Sequence, residues 1–134
     1  MNKKILEKLS KFEISQTRYQ EEYNQLSNPG FEEKQINKMI LRTSSKNTIQ
    51  TLVQYFEKLN EFISHKDLTR ISSKNGGGKT LLKILTCRKN LLSIGFNDHD
   101  IIDIASNKGG SKTLQTVIDL YDQLIKIGFT NQDI

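Results

Sequence analysis

The sequence predicts an all-α protein, a right-handed α-solenoid of two-helix (helix-loop-helix) repeats. Three observations predict it: a phrase that recurs about every 33 residues, apolar positions at helical spacing inside each period, and an absence of strand patterning. The phrase is Gly30-Phe31 with Ile36 five residues beyond the Phe, repeated as Gly95-Phe96 with Ile101 and as Gly128-Phe129 with Ile134. The Phe positions lie 65 and then 33 residues apart, and Phe62-Ile63 with Leu68 fills the gap. Thr48-Ile49-Gln50-Thr51-Leu52-Val53 and Thr113-Leu114-Gln115-Thr116-Val117-Ile118 keep the same register at a shift of 65, with Thr80-Leu81-Leu82-Lys83-Ile84-Leu85 between them. A period in the range of roughly 20 to 50 residues is that of stacked supersecondary units, each of which buries its apolar face only against its neighbours.

Each element follows from that register. Residues 1–30 read as a degenerate helix pair that caps the stack, with helices near 3–11 and 15–26 closed by the turn Asn28-Pro29-Gly30. Tyr19, Tyr23 and Leu26 precede Phe31 at the offsets by which Val117, Tyr121 and Leu124 precede Phe129. Residues 31–62 read as a degenerate repeat with helices near 33–41 and 46–60, and residues 63–95 as a repeat with helices near 64–72 and 79–94. In the repeat 96–128, Ile101, Ile104 and Ala105 follow Asp98, read as the N-cap of a short first helix. Leu114, Val117, Ile118, Leu120, Tyr121, Leu124 and Ile127 make the apolar stripe of a longer second helix, ended by Gly128 at its C-cap. Gly109-Gly110 separates the two helices, and residues 129–134 begin a further unit.

Composition narrows the function classes. The chain has 134 residues, 35% hydrophobic and 26% charged, which suits a thin stack better than a large compact core. Twenty Lys and Arg against 15 Asp and Glu give a net charge of +5, so the surface attracts polyanions. Cys87 is the single cysteine, which excludes an internal disulfide and suits a reducing intracellular compartment; it reads as a small buried residue. With His65 and His99 the only histidines, no zinc site of the usual His and Cys kind is expected, and no metal or cofactor is predicted. No signal peptide or membrane span is expected from the start Met-Asn-Lys-Lys and the mixed residues that follow.

The chemistry-bearing segments are the loops between paired helices. They read Arg70-Ile71-Ser72-Ser73-Lys74-Asn75-Gly76-Gly77-Gly78-Lys79-Thr80-Leu81 and Asp103-Ile104-Ala105-Ser106-Asn107-Lys108-Gly109-Gly110-Ser111-Lys112-Thr113-Leu114. Flanks match while the two central residues differ. Ile104-Ala105-Ser106, a variable pair, Gly109-Gly110 and then Leu114-Gln115-Thr116-Val117 resemble the repeat of the transcription-activator-like (TAL) effector family. The 33-residue length resembles the bacterial TAL-effector-like relatives more than the plant-pathogen proteins. The resemblance is specific over residues 63–134, fair over 30–62 and weak before that.

The resemblance implies that each loop enters the major groove of double-stranded DNA and that the second residue of the variable pair touches one base. Carried over, the base readers are Asn75 and Lys108, with Thr43 in the corresponding place of the degenerate repeat, and the loop-bracing residues are Lys74 and Asn107. Asn107 suits bracing, whereas Lys74 suits it poorly. Lys108 can donate to guanine O6 and N7, and Asn75 to a purine N7, so guanine is the expected preference, with adenine open for Asn75. Gly76, Gly77, Gly109 and Gly110 would let the backbone approach the groove, and Lys79 and Lys112 would meet phosphates at helix N-termini that present free amides. Two departures stand out. Arg42-Thr43-Ser44-Ser45 lacks the glycine pair, and Glu57, Lys89 and Asp122 hold places where the family's second helix commonly carries proline, which bears on superhelix curvature.

Other readings fit the residues less well. Gly76-Gly77-Gly78-Lys79-Thr80 resembles the end of a nucleotide-binding P-loop, but Ser73 stands where the first glycine belongs and no strand precedes it. No nucleophile, base and orienting group recur together, so neither an enzyme nor a small-molecule substrate is expected. Single-stranded RNA readers use stacking side chains, and neither loop holds an aromatic residue. The main alternative is a helical-repeat module that binds another protein. The expectation is therefore a monomer without membrane association, read as a fragment of a longer array or a small protein of modest sequence preference. By resemblance it works in transcription regulation, in the bacterial cytoplasm or, delivered to a eukaryotic host, in the nucleus.

Overall fold

The computed structural model describes residues 2–42, 45–107 and 109–128, and among them the chain is all-α. The helices are α1 (Lys3–Lys11), α2 (Gln16–Ser27), α3 (Glu33–Ile40), α4 (Ser45–Asn60), α5 (His65–Ser72), α6 (Gly77–Ser93), α7 (Asp98–Ala105) and α8 (Gly110–Lys126). Short and long helices alternate from α3 onward, and α5 and α7 begin 33 residues apart, as do α6 and α8.

The recurring Gly-Phe phrase has a local cause at each joint. After α6, Gly95 takes a φ of 104°, its amide donates to the Leu92 carbonyl, and the Phe96 amide donates to Leu91, a left-handed helix stop with its apolar contact. Phe96 then precedes the N-cap Asn97, whose side chain accepts from the Asp100 amide, and Ile101 lies five residues beyond the Phe. That spacing is the hydrophobic staple, in which the residue before the cap packs near the fourth helical residue. Phe31 with Ile36 and Ile63 with Leu68 occupy the same places, and all four are buried. The cap of α7 is thus Asn97 rather than Asp98, which is instead the first helical residue and is left to pair elsewhere.

Packing runs in sequence order. Helix α4 lies against α6 and α6 against α8, while α3 lies against α5. Contacts between second helices join equivalent places: Thr48 near the start of α4 meets Gly78 near the start of α6, and Lys83 on α6 bonds Gln115 on α8. The described starts of α4 and α6 therefore adjoin, and the first halves of α6 and α8 face each other. Leu26, Met39, Ile40, Leu52, Leu59, Leu81, Ile84 and Leu91 are fully covered in one continuous apolar cluster. Each such side chain contributes roughly 1.5–3 kcal/mol of burial. Cys87 is buried in the same cluster.

Candidate nucleic-acid interface

The two loops are built alike from their backbone upward. The Lys74 amide donates to the Ile71 carbonyl at 3.2 Å and the Asn107 amide to Ile104 at 3.3 Å. The Ser73 and Ser106 hydroxyls each bond back to the carbonyl four residues earlier, Thr69 and Ile102, at 2.6 Å. This closes the first helix of each pair and turns the next residues outward. Lys74, Asn75 and Gly76 are exposed in one loop, and Asn107 and Gly109 in the other. Asn107 Nδ2 donates to the Asp103 carbonyl at 3.0 Å, a bond from the loop to its own first helix. Lys74 has an exposed side chain that carries no such bond. Lys108 and Thr43, read as base readers, lie outside the described residues.

The glycines of each pair separate into two roles. Gly76 and Gly109 are exposed, both at a φ of 74°, with open space where a Cβ would stand. That left-handed backbone is the reason for glycine there. Gly77 and Gly110 are buried: a Cβ on Gly77 would lie 2.7 Å from the Ile71 carbonyl oxygen, and on Gly110 it would lie 2.5 Å from that of Ala105. The missing Cβ lets the second helix start against the end of the first. Of the four glycines expected to approach a ligand, Gly76 and Gly109 are exposed and Gly77 and Gly110 are buried.

The starts of α6 and α8 differ from the other described helix starts. Side chains of Asn2, Ser15, Ser64 and Asn97 accept helix amides at α1, α2, α5 and α7, and Gln35 closes the start of α3. Helices α6 and α8 begin at glycine with no side-chain cap and no acidic residue in the first turn. Each carries an exposed lysine as its third residue, Lys79 and Lys112. The helix dipole opposes a cation there by on the order of 0.3–1 kcal/mol, a penalty that a bound anion would reverse. The amides are less open than the sequence suggests: in α6 those of Gly77, Gly78 and Thr80 bond Lys74, the Thr48 hydroxyl and Gly76, and in α8 those of Gly110 and Thr113 bond Asn107 and Gly109. Exposed lysine side chains, more than free amides, are what these helix starts present to solvent.

Sequence reasoning missed the polar side chains that join one unit to the next. Arg18 binds Glu22 at 2.7 Å and reaches the Ser45 hydroxyl at 2.8 Å, while Ser45 donates to the Ile40 carbonyl at 2.9 Å. Buried Ser45 stands where Gly77 and Gly110 stand in later units, its hydroxyl spanning the same joint. Arg42 reaches the Ser72 carbonyl at 2.8 Å and the Thr48 hydroxyl at 3.3 Å, and its burial lowers the guanidinium pKa from the usual value. Desolvation, with Tyr23 and Glu33 nearby, raises the Tyr19 hydroxyl, which donates to Asn37. The period marks the places of Ser45 and Thr48 but not their partners, and Arg18 and Arg42 have no arginine at the matching places of the later units.

Among the described residues no group of three His, Cys, Asp or Glu side chains is arranged to hold a metal, and no helix is long and apolar enough to cross a membrane. Comparison with protein-family models finds no match, and comparison with curated proteins finds no significant relative.

Proposed function

We propose that the chain is a right-handed α-solenoid of about four helix pairs that binds double-stranded DNA, one base per repeat, through its inter-helix loops in the major groove. The observation that carries the reading is the shared build of the α6 and α8 starts. Both follow exposed loop residues, both lack a side-chain cap from the N-cap glycine and a first-turn acid, and both carry an exposed lysine at the third position. The contact of α6 with α8, joined between their first halves at Lys83 and Gln115, supports two such starts side by side, as successive phosphates and bases would require. A net charge of +5 supplies the long-range attraction. In this reading Asn75 and Lys108 contact bases and prefer guanine, Asn107 braces its loop, and Lys79 and Lys112 contact phosphate. The likeness to TAL-effector-like repeats favours the same assignment and a role in transcription regulation.

A salt-dependent titration tests it, using duplexes with and without adjacent guanines. Wild type is expected to prefer the guanine duplexes, Lys108→Ala to lose that preference, and Lys79→Ala/Lys112→Ala to bind all duplexes more weakly. A second reading, a module that binds another protein, draws on the outer face of α8, where Leu120 is 53% and Ile127 71% exposed. Absence of duplex binding even at low salt would favour that reading.

A further inference from the structure

We propose that Arg42 and Thr48, side chains of the unit that lacks the glycine pair, position the Asn75 loop of the following unit. The inference rests on the DNA reading above and assigns that unit a bracing role. Arg42 Nη2 donates to the carbonyl of Ser72, the last residue of α5, at 2.8 Å. Thr48 Oγ1 accepts from the amide of Gly78, the second residue of α6, at 3.1 Å, and Arg42 links to the same hydroxyl at 3.3 Å. One connected pair of side chains therefore holds both ends of the short segment that carries Asn75.

The chemistry suits the task. A guanidinium at the C-terminal carbonyl of a helix meets the negative end of its dipole, and the fixed fork gives direction as well as charge. Thr48 is buried, so its bond to Gly78 is sheltered from competing water. A Cβ on Gly78 would lie 3.2 Å from Thr48 Cα, so the two helices meet closely at this bond and a larger residue would require α4 to shift by a few tenths of an ångström. One unit further on the clasp is replaced. Ser111 stands in the place of Gly78, Thr80 Oγ1 donates to the Gly76 carbonyl of its own unit, and the second loop is braced from within by Asn107 on Asp103. Among the described residues the two loops are thus held by different means, the first through its predecessor and the second through Asn107.

The test uses the full chain with Arg42→Met, Arg42→Lys and Thr48→Val, each checked by thermal melting. Amide exchange of the free protein is measured at Gly77 and Gly78, and affinities are measured for duplexes varied at the base facing Asn75 or at the base facing Lys108. Arg42→Met and Thr48→Val are expected to speed exchange at Gly78 by about tenfold. They should also reduce discrimination at the Asn75 base by about fivefold or more while leaving that at the Lys108 base unchanged, with Arg42→Lys in between. Unchanged exchange overturns the clasp whether or not DNA binds. Equal loss of discrimination at both bases, tracking the melting temperature, overturns the positioning role in favour of a general structural one. If wild type discriminates at neither base, the base-reading function fails, and this role with it.

Discussion

Asn75, Lys79 and Lys112 are exposed, while the neighbouring Gly77 and Gly110 are buried, so adjacent residues in one motif answer to different forces. In the sequence the glycine pair is a single signal, because left-handed backbone and lack of room for a Cβ both leave the same letter. The structure separates them, and substitution distinguishes them. Gly110→Ala drives a methyl to within 2.5 Å of backbone and is expected to lower stability by about 2 kcal/mol or more. Gly109→Asn keeps a residue that tolerates positive φ and is expected to cost well under about 1 kcal/mol. Urea unfolding midpoints of the two variants measure the difference. Equal costs would mean that the buried joint at Ala105 yields more than its geometry suggests.

At the scale of helices, the 3.6-residue stripes and the Gly-Phe phrase make every described helix legible to within a few residues, since burial of one face and two-sided capping both write themselves into the sequence. The starts of α6 and α8 are the least legible. Glycine propensity argues for a break through Gly78, yet Gly77 and Gly78 are helical because close packing outweighs the roughly 1 kcal/mol that each glycine costs. Asp98 has the chemistry of a cap, but with Asn97 in that role it pairs with Arg88 at 2.7 and 3.0 Å. Arg88 also lies over the Phe62 ring at 4.0 Å, so this joint ties α6 to α7 and to the turn before α5. The Arg88 hydrogen bonds hold the Asp98 carboxyl below its ordinary range. A carboxyl with a lowered folded pKa stabilises the fold fully above its unfolded value, about pH 4, and loses that contribution as pH falls through the lowered value. Asp98→Asn is therefore expected to cost about 1 kcal/mol at neutral pH, as a half-exposed bidentate pair would, with the gap from wild type closing below about pH 4. Chemical denaturation at a series of pH values measures it; a gap that stays constant into acid would contradict the pairing.

For the molecule as a whole, the main contacts among the described helices join successive helix pairs, the order in which a 33-residue period would bring them together. The bracing between units does not follow from the period. Arg42 and Thr48 each reach a partner 30 residues ahead and Arg18 one 27 ahead, but a polar side chain gives no sign in sequence of which group it will meet. The DNA reading predicts a collective electrostatic behaviour. The logarithm of affinity should fall linearly with the logarithm of salt concentration, and Lys79→Ala/Lys112→Ala should reduce that slope by about 2, one for each phosphate that is no longer neutralised. A slope unchanged in the double variant would place the phosphate-binding cations elsewhere on the surface.

The most direct measurement follows the backbone amides of an isotopically labelled chain by NMR as a duplex containing adjacent guanines is added. The account predicts that shifts concentrate at Asn75, Gly76, Asn107 and Gly109 and at the first turns of α6 and α8, with the outer face of α8 undisturbed. Shifts centred on Leu120 and Ile127, or no shifts at low salt, would contradict it.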